Sequence, residues 1–241
     1  MNIALIGYGK MGQAIEQIAL SRGHEIGLKI RSSNQDDLNE TSLRNIDVAI
    51  EFTNPESALN NVLKCLRAGV PTICGTTGWN HGLAQAKMTT IECKTAFLQA
   101  SNFSIGVNLF FEVNKYLAAL MNDQNEYDMV IEETHHTQKK DAPSGTAITL
   151  AEQILENISR KKHWTKDFSS EQDSLPIIAH RKEDVPGTHH VRYFSPIDDI
   201  EIIHTAHNRS GFAKGAVLAA EFIEGKEGIF SMKDVLGIDR L

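Results

Sequence analysis

The 241 residues include only three cysteines, Cys65, Cys74 and Cys93, and no two of them form a C-x-x-C pair. An odd, scattered set excludes a disulfide framework and a dithiol redox motif, and implies reduced thiols in a reducing compartment. Long apolar runs are missing as well: nothing approaches the ~20 residues that a membrane-spanning helix needs. The opening Met1-Asn2-Ile3-Ala4-Leu5-Ile6 turns at Gly7, too early for the apolar stretch of a secretory signal. A cytoplasmic protein with no membrane partner is expected. Basic excess is also absent. The formal net charge is -7, and the basic runs are as short as Arg160-Lys161-Lys162 and Lys139-Lys140. Nucleic-acid binding needs a positive field, so no nucleic-acid partner is expected. Around His189, His190, His204 and His207 no cysteine or H-E-x-x-H spacing supplies a ligand set, and no metal is expected.

What is there reads as an ordinary soluble globular chain, 41% hydrophobic and 23% charged. The first hundred residues alternate short apolar runs with helical periodicity, the mark of parallel βαβ units. Strands are expected at residues 2–6, 24–30, 46–52, 70–74 and 95–99. Helices are expected after Met11, from Pro55 to a stop at Gly69, and at residues 83–91. This is a doubly wound α/β half. Beyond Phe103 the rhythm changes. A long helix carries Leu109, Phe110, Val113, Leu117, Leu120 and Met121, and a strand at 128–133 leads into a histidine-rich loop. Another helix spans Ile148 to Ile158. The polar stretch 160–175 is expected to be irregular. Strands at 191–194 and 200–204 suggest an antiparallel or mixed sheet, and a last helix covers 212–223. Trp79 and Trp164 stand alone and are expected to pack rather than bind.

Gly7-Tyr8-Gly9-Lys10-Met11-Gly12 is a G-x-G-x-x-G between the first strand and the first helix. The first glycine permits the tight turn, the second a close approach to pyrophosphate, and the third helix–sheet packing. The helix start then offers free N–H groups and a positive dipole end. In NAD-specific members of such folds an acid at the second strand tip holds the ribose. Here that tip reads Lys29-Ile30-Arg31-Ser32-Ser33, with no acid. Arg31 and Ser32 suit a 2′-phosphate, so NADPH is expected to be preferred over NADH.

The segment Glu133-Thr134-His135-His136-Thr137-Gln138-Lys139-Lys140-Asp141-Ala142-Pro143-Ser144-Gly145-Thr146-Ala147 carries the chemistry. Two histidines and a lysine follow a strand, and a proline turn leads into a helix opening Ser144-Gly145-Thr146. Such a helix start can bind carboxylate, while imidazole and ammonium supply a proton and positive charge. A small dianionic substrate protonated as hydride arrives would fit.

This segment closely resembles the E-x-H-H-x-x-K-x-D-A-P-S-G-T-A signature of the dihydrodipicolinate reductase family. Gly75-Thr76-Thr77-Gly78 resembles that family's G-T-T-G turn, and Ala100-Ser101-Asn102-Phe103-Ser104 its A-x-N-F-S hinge. Val185-Pro186-Gly187-Thr188 and the closing residues 228–236 also fit. The resemblance implies a Rossmann-type doubly wound parallel sheet domain at 1–103 and 210–241. It further implies an α+β domain with a mixed sheet at 104–209, which binds substrate and builds a homotetramer. The implied reaction is NAD(P)H-dependent reduction of 4-hydroxy-tetrahydrodipicolinate, a small cyclic dicarboxylate, in lysine and diaminopimelate biosynthesis. By the motif match, His135 and Lys139 are the catalytic residues, either one completing protonation. His136, Gly145 and Thr146 bind substrate. Gly7, Tyr8, Gly9, Lys10, Met11, Gly12, Gly75, Thr76, Thr77, Ala100, Ser101, Asn102 and Phe103 contact the cofactor. His189, His190 and Arg209 could border the substrate pocket. The chain departs from the family pattern in its shorter glycine loop, with Lys10 for arginine, in Arg31, and in a shorter region between Thr188 and His204. Another amino-acid dehydrogenase or a non-catalytic NAD(P)-binding sensor would dispense with the His-His-x-x-Lys loop.

Overall fold

The computed structural model describes residues 1–208 and 210–238. The chain divides into two compact units, Met1–Ile105 with Ser210–Leu241, and Gly106–Arg209. The first boundary thus lies two residues beyond the expected 103. No helix among the described residues is long and apolar enough to cross a membrane.

In the first unit, strands β1 (Asn2–Ile6), β2 (Glu25–Ile30), β3 (Val48–Glu51), β4 (Thr72–Cys74), β5 (Ala96–Gln99) and β11 (Gly228–Phe230) form one sheet. Their order is β11-β5-β4-β3-β1-β2, and every pairing is parallel. Successive side chains on a strand face opposite ways, so a sheet covered on both faces needs apolar residues at every position. The sequence obeys this. Ile3 and Leu5 join a cluster with α1 (Lys10–Ser21) and α7 (Ser210–Ile223), whereas Ala4 and Ile6 join another that reaches Cys65 of α3 (Pro55–Arg67). Trp79 is fully buried in a third cluster, with α3 and α4 (Leu83–Glu92).

The strand order reverses beside β1, whose neighbours are β2 and β3. At such a switch point the crevice outside the carboxyl ends of the strands is left open for a ligand. Strands β3 and β4 are shorter than the apolar runs that announced them, although flanking residues still bond to neighbouring strands, Asp47 and Phe52 donating to the Asn2 and Ile6 carbonyls. Strand β11, only three residues long, was not anticipated. It joins the sheet by pairing with β5 across Gly228↔Ala96 to Phe230↔Leu98, a contact that no local periodicity encodes.

The second unit is a five-stranded sheet of order β10-β9-β6-β8-β7, built from β6 (Asp128–His135), β7 (His163–Thr165), β8 (Ser174–Arg181), β9 (Gly187–Phe194) and β10 (Asp199–Ala206). It is mixed: β6 pairs antiparallel with β9 and parallel with β8. Helices α5 (Ile105–Met121) and α6 (Gly145–Asn157) cover one face, where Met129, Ile131, Val191 and Tyr193 meet Phe110, Leu150 and Ile154. The expected irregular stretch 160–175 is corrected here. It contains β7 and the start of β8, held together by the pairing His163↔Ser174. A three-residue strand has no period to read.

Leu5 is buried at the centre of the first cluster. Truncation Leu5→Ala should lower unfolding free energy by about 2–5 kcal/mol, the usual cost of a leucine-sized cavity. Urea denaturation followed by circular dichroism measures it.

Candidate active site

The turn after β1 is shaped by two contacts. Gly7 has φ +93°, and a Cβ there would lie 2.0 Å from the Phe52 carbonyl oxygen. A Cβ on Gly12 would meet the Gly7 carbonyl oxygen at 2.4 Å, so only glycine lets α1 start this close to the sheet. Gly9 is exposed, with open space beyond its Cα. Gly7, Tyr8, Gly9, Arg31 and Ser32 line one cleft of about 480 Å³, together with Gln35, Thr53, Asn54 and Ser57. The last four were not singled out in the sequence. Gln35, Thr53 and Asn54 arrive from the segments after β2 and β3, and Ser57 from the first turn of α3, which sheet order brings beside the glycine turn. Met11 packs against the core and Lys10 is exposed.

Arg31 stacks its guanidinium 4.7 Å from the Tyr8 ring centre and makes no ion pair among the described residues. The Tyr8 hydroxyl donates to Glu16, which also pairs with Lys29. Glu16 is thus engaged by Lys29 and Tyr8, and Arg31 faces the cleft with no ion-pair partner among the described residues. Thr76 Oγ1 accepts from the Thr53 N–H at 2.8 Å, and the Thr76 carbonyl accepts from Trp79 Nε1 at 2.7 Å. These bonds fasten the turn after β4 to the turn after β3. Gly75 is half-buried and Thr77 exposed. Phe103 packs on Phe52 with ring centres 5.6 Å apart, half-buried Ala100 follows β5, Ser101 is exposed, and Asn102 Oδ1 accepts from the Ser104 N–H. None of these seven residues, 75–77 and 100–103, lines the glycine cleft.

In the second unit, Met129, Ile131, Glu133 and His135 alternate along β6 toward the helix-covered face. The row begins apolar and ends ionisable. Across the sheet, His189 of β9 stands opposite Glu133, and Arg181 of β8 opposite His135. Glu133, His135 and His189 are all buried. Glu133 Oε1 accepts from the Ser144 backbone N–H at 2.9 Å, and Oε2 lies 3.4 Å from His135 Nδ1 and 3.8 Å from His189 Nε2. Ser144 caps α6 through its side chain, which accepts from the Ala147 N–H, and its Oγ lies 3.2 Å from His189 Nε2.

Lys139 Nζ donates to both Asp141 oxygens, at 2.9 and 2.8 Å. Arg181 then ties down the loop, donating to the Asp141 carbonyl at 2.6 Å and reaching Glu133 Oε1 at 3.5 Å. Gly145 and Thr146 open α6 directly after Ser144. His136 faces elsewhere. It lines a cleft of about 490 Å³ whose wall includes the acids Glu183 and Asp184. His190 sits half-buried beside Glu201, and Arg209 lies outside the described residues.

Residues 1–103 match the family model described as dihydrodipicolinate reductase, N-terminus, and residues 106–236 match that described as dihydrodipicolinate reductase, C-terminus. The chain belongs to the dihydrodipicolinate reductase family. It is 52% identical over 238 residues to a 4-hydroxy-tetrahydrodipicolinate reductase of Christiangramia forsetii, covering 98% of each chain. A 4-hydroxy-tetrahydrodipicolinate reductase of Neisseria meningitidis is 36% identical over 231 residues, covering 93% of this chain and 84% of that one. Its fold is similar to that of the dipicolinate-bound dihydrodipicolinate reductase from Paenisporosarcina sp. TG-14, with TM-score 0.78, 24% identity, and coverage of 96% and 97%.

One argument drawn from spacing in this reductase-family chain is corrected by the structure. A carboxylate does join the histidines: Glu133, His135 and His189 bring ligand-type atoms within 4.8 Å of one another. The partners sit on different strands, so no sequence spacing displays them. Arg181 and Lys139 beside the cluster work against a dication.

Burial lowers the pKa of His135, and although Glu133 pulls it up, Lys139 and Arg181 push the same way as burial. Burial, helped by His135, lowers His189 to about 3. Desolvation raises Asp141, but the bond to Lys139, a backbone hydrogen bond and the charges of Lys139 and His135 together hold it below the usual carboxylate range. A histidine depressed to about 3 is neutral in the folded state, while the unfolded chain takes up a proton near 6.5. Its stabilising contribution is therefore complete above pH about 6.5 and is lost as pH falls toward 3. His189→Asn should flatten the decline of stability across that window. Urea unfolding of both proteins at several pH values measures the difference in slope.

Proposed function

We infer that this chain reduces 4-hydroxy-tetrahydrodipicolinate to tetrahydrodipicolinate with a reduced nicotinamide dinucleotide, in lysine and diaminopimelate biosynthesis. The observation that carries the catalytic reading is the cluster of His135, Lys139 and Glu133 beside the capped start of α6. When bound, the cofactor supplies a hydride to the ring carbon conjugated with the imine. The glycine turn fits its pyrophosphate, because Gly9 leaves open space at a helix start whose N–H groups and dipole favour an anion.

The second unit supplies the proton and holds the dianion. Lys139, half-buried and paired with Asp141, exchanges that partner for a substrate carboxylate. Gly145 and Thr146 add the helix-start end of the carboxylate site. His135 is the proton donor. Burial makes its imidazolium a ready acid, and a dianion bound alongside restores the charged form before transfer. His136 is assigned to substrate binding by the motif match alone, the cleft it lines being walled by Glu183 and Asp184. NADPH is the preferred cofactor, since Arg31 is held on Tyr8 with no carboxylate partner among the described residues. The working protein is a cytoplasmic homotetramer, as in the resemblance that identified it.

Oxidation of NADPH followed by absorbance, with freshly made product of the preceding synthase, should show turnover. His135→Gln and Lys139→Ala should each lower kcat by about 10²–10⁴-fold, the usual cost of a lost general acid or its charge partner. Wild-type turnover in both variants would overturn the assignment. Arg31→Ala should lower kcat/KM for NADPH by about 10- to 100-fold, as expected for a charged hydrogen bond, and change that for NADH little. Steady-state kinetics with the two cofactors decides it.

A further inference from the structure

Glu133 is wholly buried and no part of the proposed chemistry uses it directly. Its two oxygens face different things. Oε1 accepts from the Ser144 N–H that begins α6, at 2.9 Å. Oε2 and His135 Nδ1 are both buried without a hydrogen bond within the described residues, and they lie 3.4 Å apart. Each is the nearest ionisable match for the other. A buried carboxylate with one unused oxygen stabilises a donor turned toward it, so the neutral imidazole carries its proton on Nδ1.

The opposite nitrogen is kept clear. A Cβ on Gly187, at the start of β9, would lie 3.0 Å from His135 Nε2. A side chain there would crowd that nitrogen, which glycine avoids.

We propose that Glu133 is a positioning residue that turns His135 so that Nδ1–H faces its carboxylate and Nε2 delivers the proton, while its second oxygen locks this donor to the substrate-binding start of α6. One carboxylate thereby sets the distance between the acid and the site for the substrate's carboxylate. The arrangement rests on the reading of His135 as proton donor. The groups facing His135 are Glu133 from its own strand, His189 from β9, Arg181 from β8, and Lys139 and Asp141 from the loop. Among these, Glu133 is the buried group that favours the imidazolium, whereas Lys139 and Arg181 oppose it.

Glu133→Gln is the informative change. Its amide oxygen can still accept from Ser144, so the start of α6 is retained. Its NH₂ would face Nδ1–H, disfavouring the imidazolium and turning the neutral ring to the other tautomer. With the variant, kcat should fall on the order of 10²-fold, within the range that general acids contribute. KM for the substrate should stay within about twofold, an unchanged carboxylate site having no reason to weaken. The alkaline fall of the rate, which tracks loss of the His135 proton, should move to lower pH.

The decisive reading needs no variant of Glu133. In the full chain with ¹⁵N-labelled histidine, the His135 ring signals, identified by their loss in His135→Gln, should report protonated Nδ1 and bare Nε2 in the neutral form. The Nε2–H tautomer in the wild type would overturn the proposal even if His135→Gln is inactive. An active His135→Gln would instead remove the proton-donor reading while leaving the tautomer result standing. An unmoved pH profile in Glu133→Gln, with kcat falling only as KM rises, would mark Glu133 as structural and also sink the proposal.

Discussion

Everything in the second unit turns on a single buried carboxylate at the end of β6. A charge removed from water costs several kcal/mol unless it is compensated. Glu133 finds compensation from two other elements at once, a backbone N–H at the head of α6 and the guanidinium of Arg181 on β8, while its second oxygen lies 3.4 and 3.8 Å from the histidines of β6 and β9. No one of these would order the loop between β6 and α6. Together they pin both of its ends, and Lys139 and Asp141 are then held by each other and by Arg181 in between. The loop is polar and is nonetheless built as a continuation of the core row that begins at Met129.

The first unit solves a different constraint. A parallel sheet buried on both faces leaves its only open ground at the carboxyl ends of the strands, and the reversal beside β1 widens it there. The turn must pass under the Phe52 carbonyl and then start a helix against its own backbone. Steric exclusion at Gly7 and Gly12 therefore shapes the cleft before any ligand is considered. The bonds from Thr76 to Thr53 and from Trp79 to Thr76 extend this rigidity to the neighbouring turn.

The two units treat charge in contrasting ways. At the glycine cleft the acid Glu16 is drawn into Lys29 and Tyr8, leaving Arg31 uncommitted. At the histidine cluster the cations are committed, Lys139 to Asp141 and Arg181 to Glu133 and the loop carbonyls. A free cation suits an anion that must be chosen by its extra phosphate. A committed cation suits one that must be gripped in a fixed geometry, because exchanging one carboxylate for another keeps the position of the ammonium.

Much of this was legible in the residues alone. The alternation of apolar runs located five of the six strands and the longer helices of the first unit, the glycine spacing marked its turn, and the contiguous loop from Glu133 to Ala147 named the family. Period-two alternation even places Glu133 on the face of His135. Which strands become neighbours was not legible: His189, Arg181 and Gly187 come from β8 and β9, far along the chain, and β7 and β11 are too short to show any period. Local propensity and contiguous motifs are written residue by residue, so the sequence itself decided the elements and the kind of chemistry. Pairing register and burial arise only when the sheet closes. Tertiary structure alone therefore decided which charges meet and which are stripped of water.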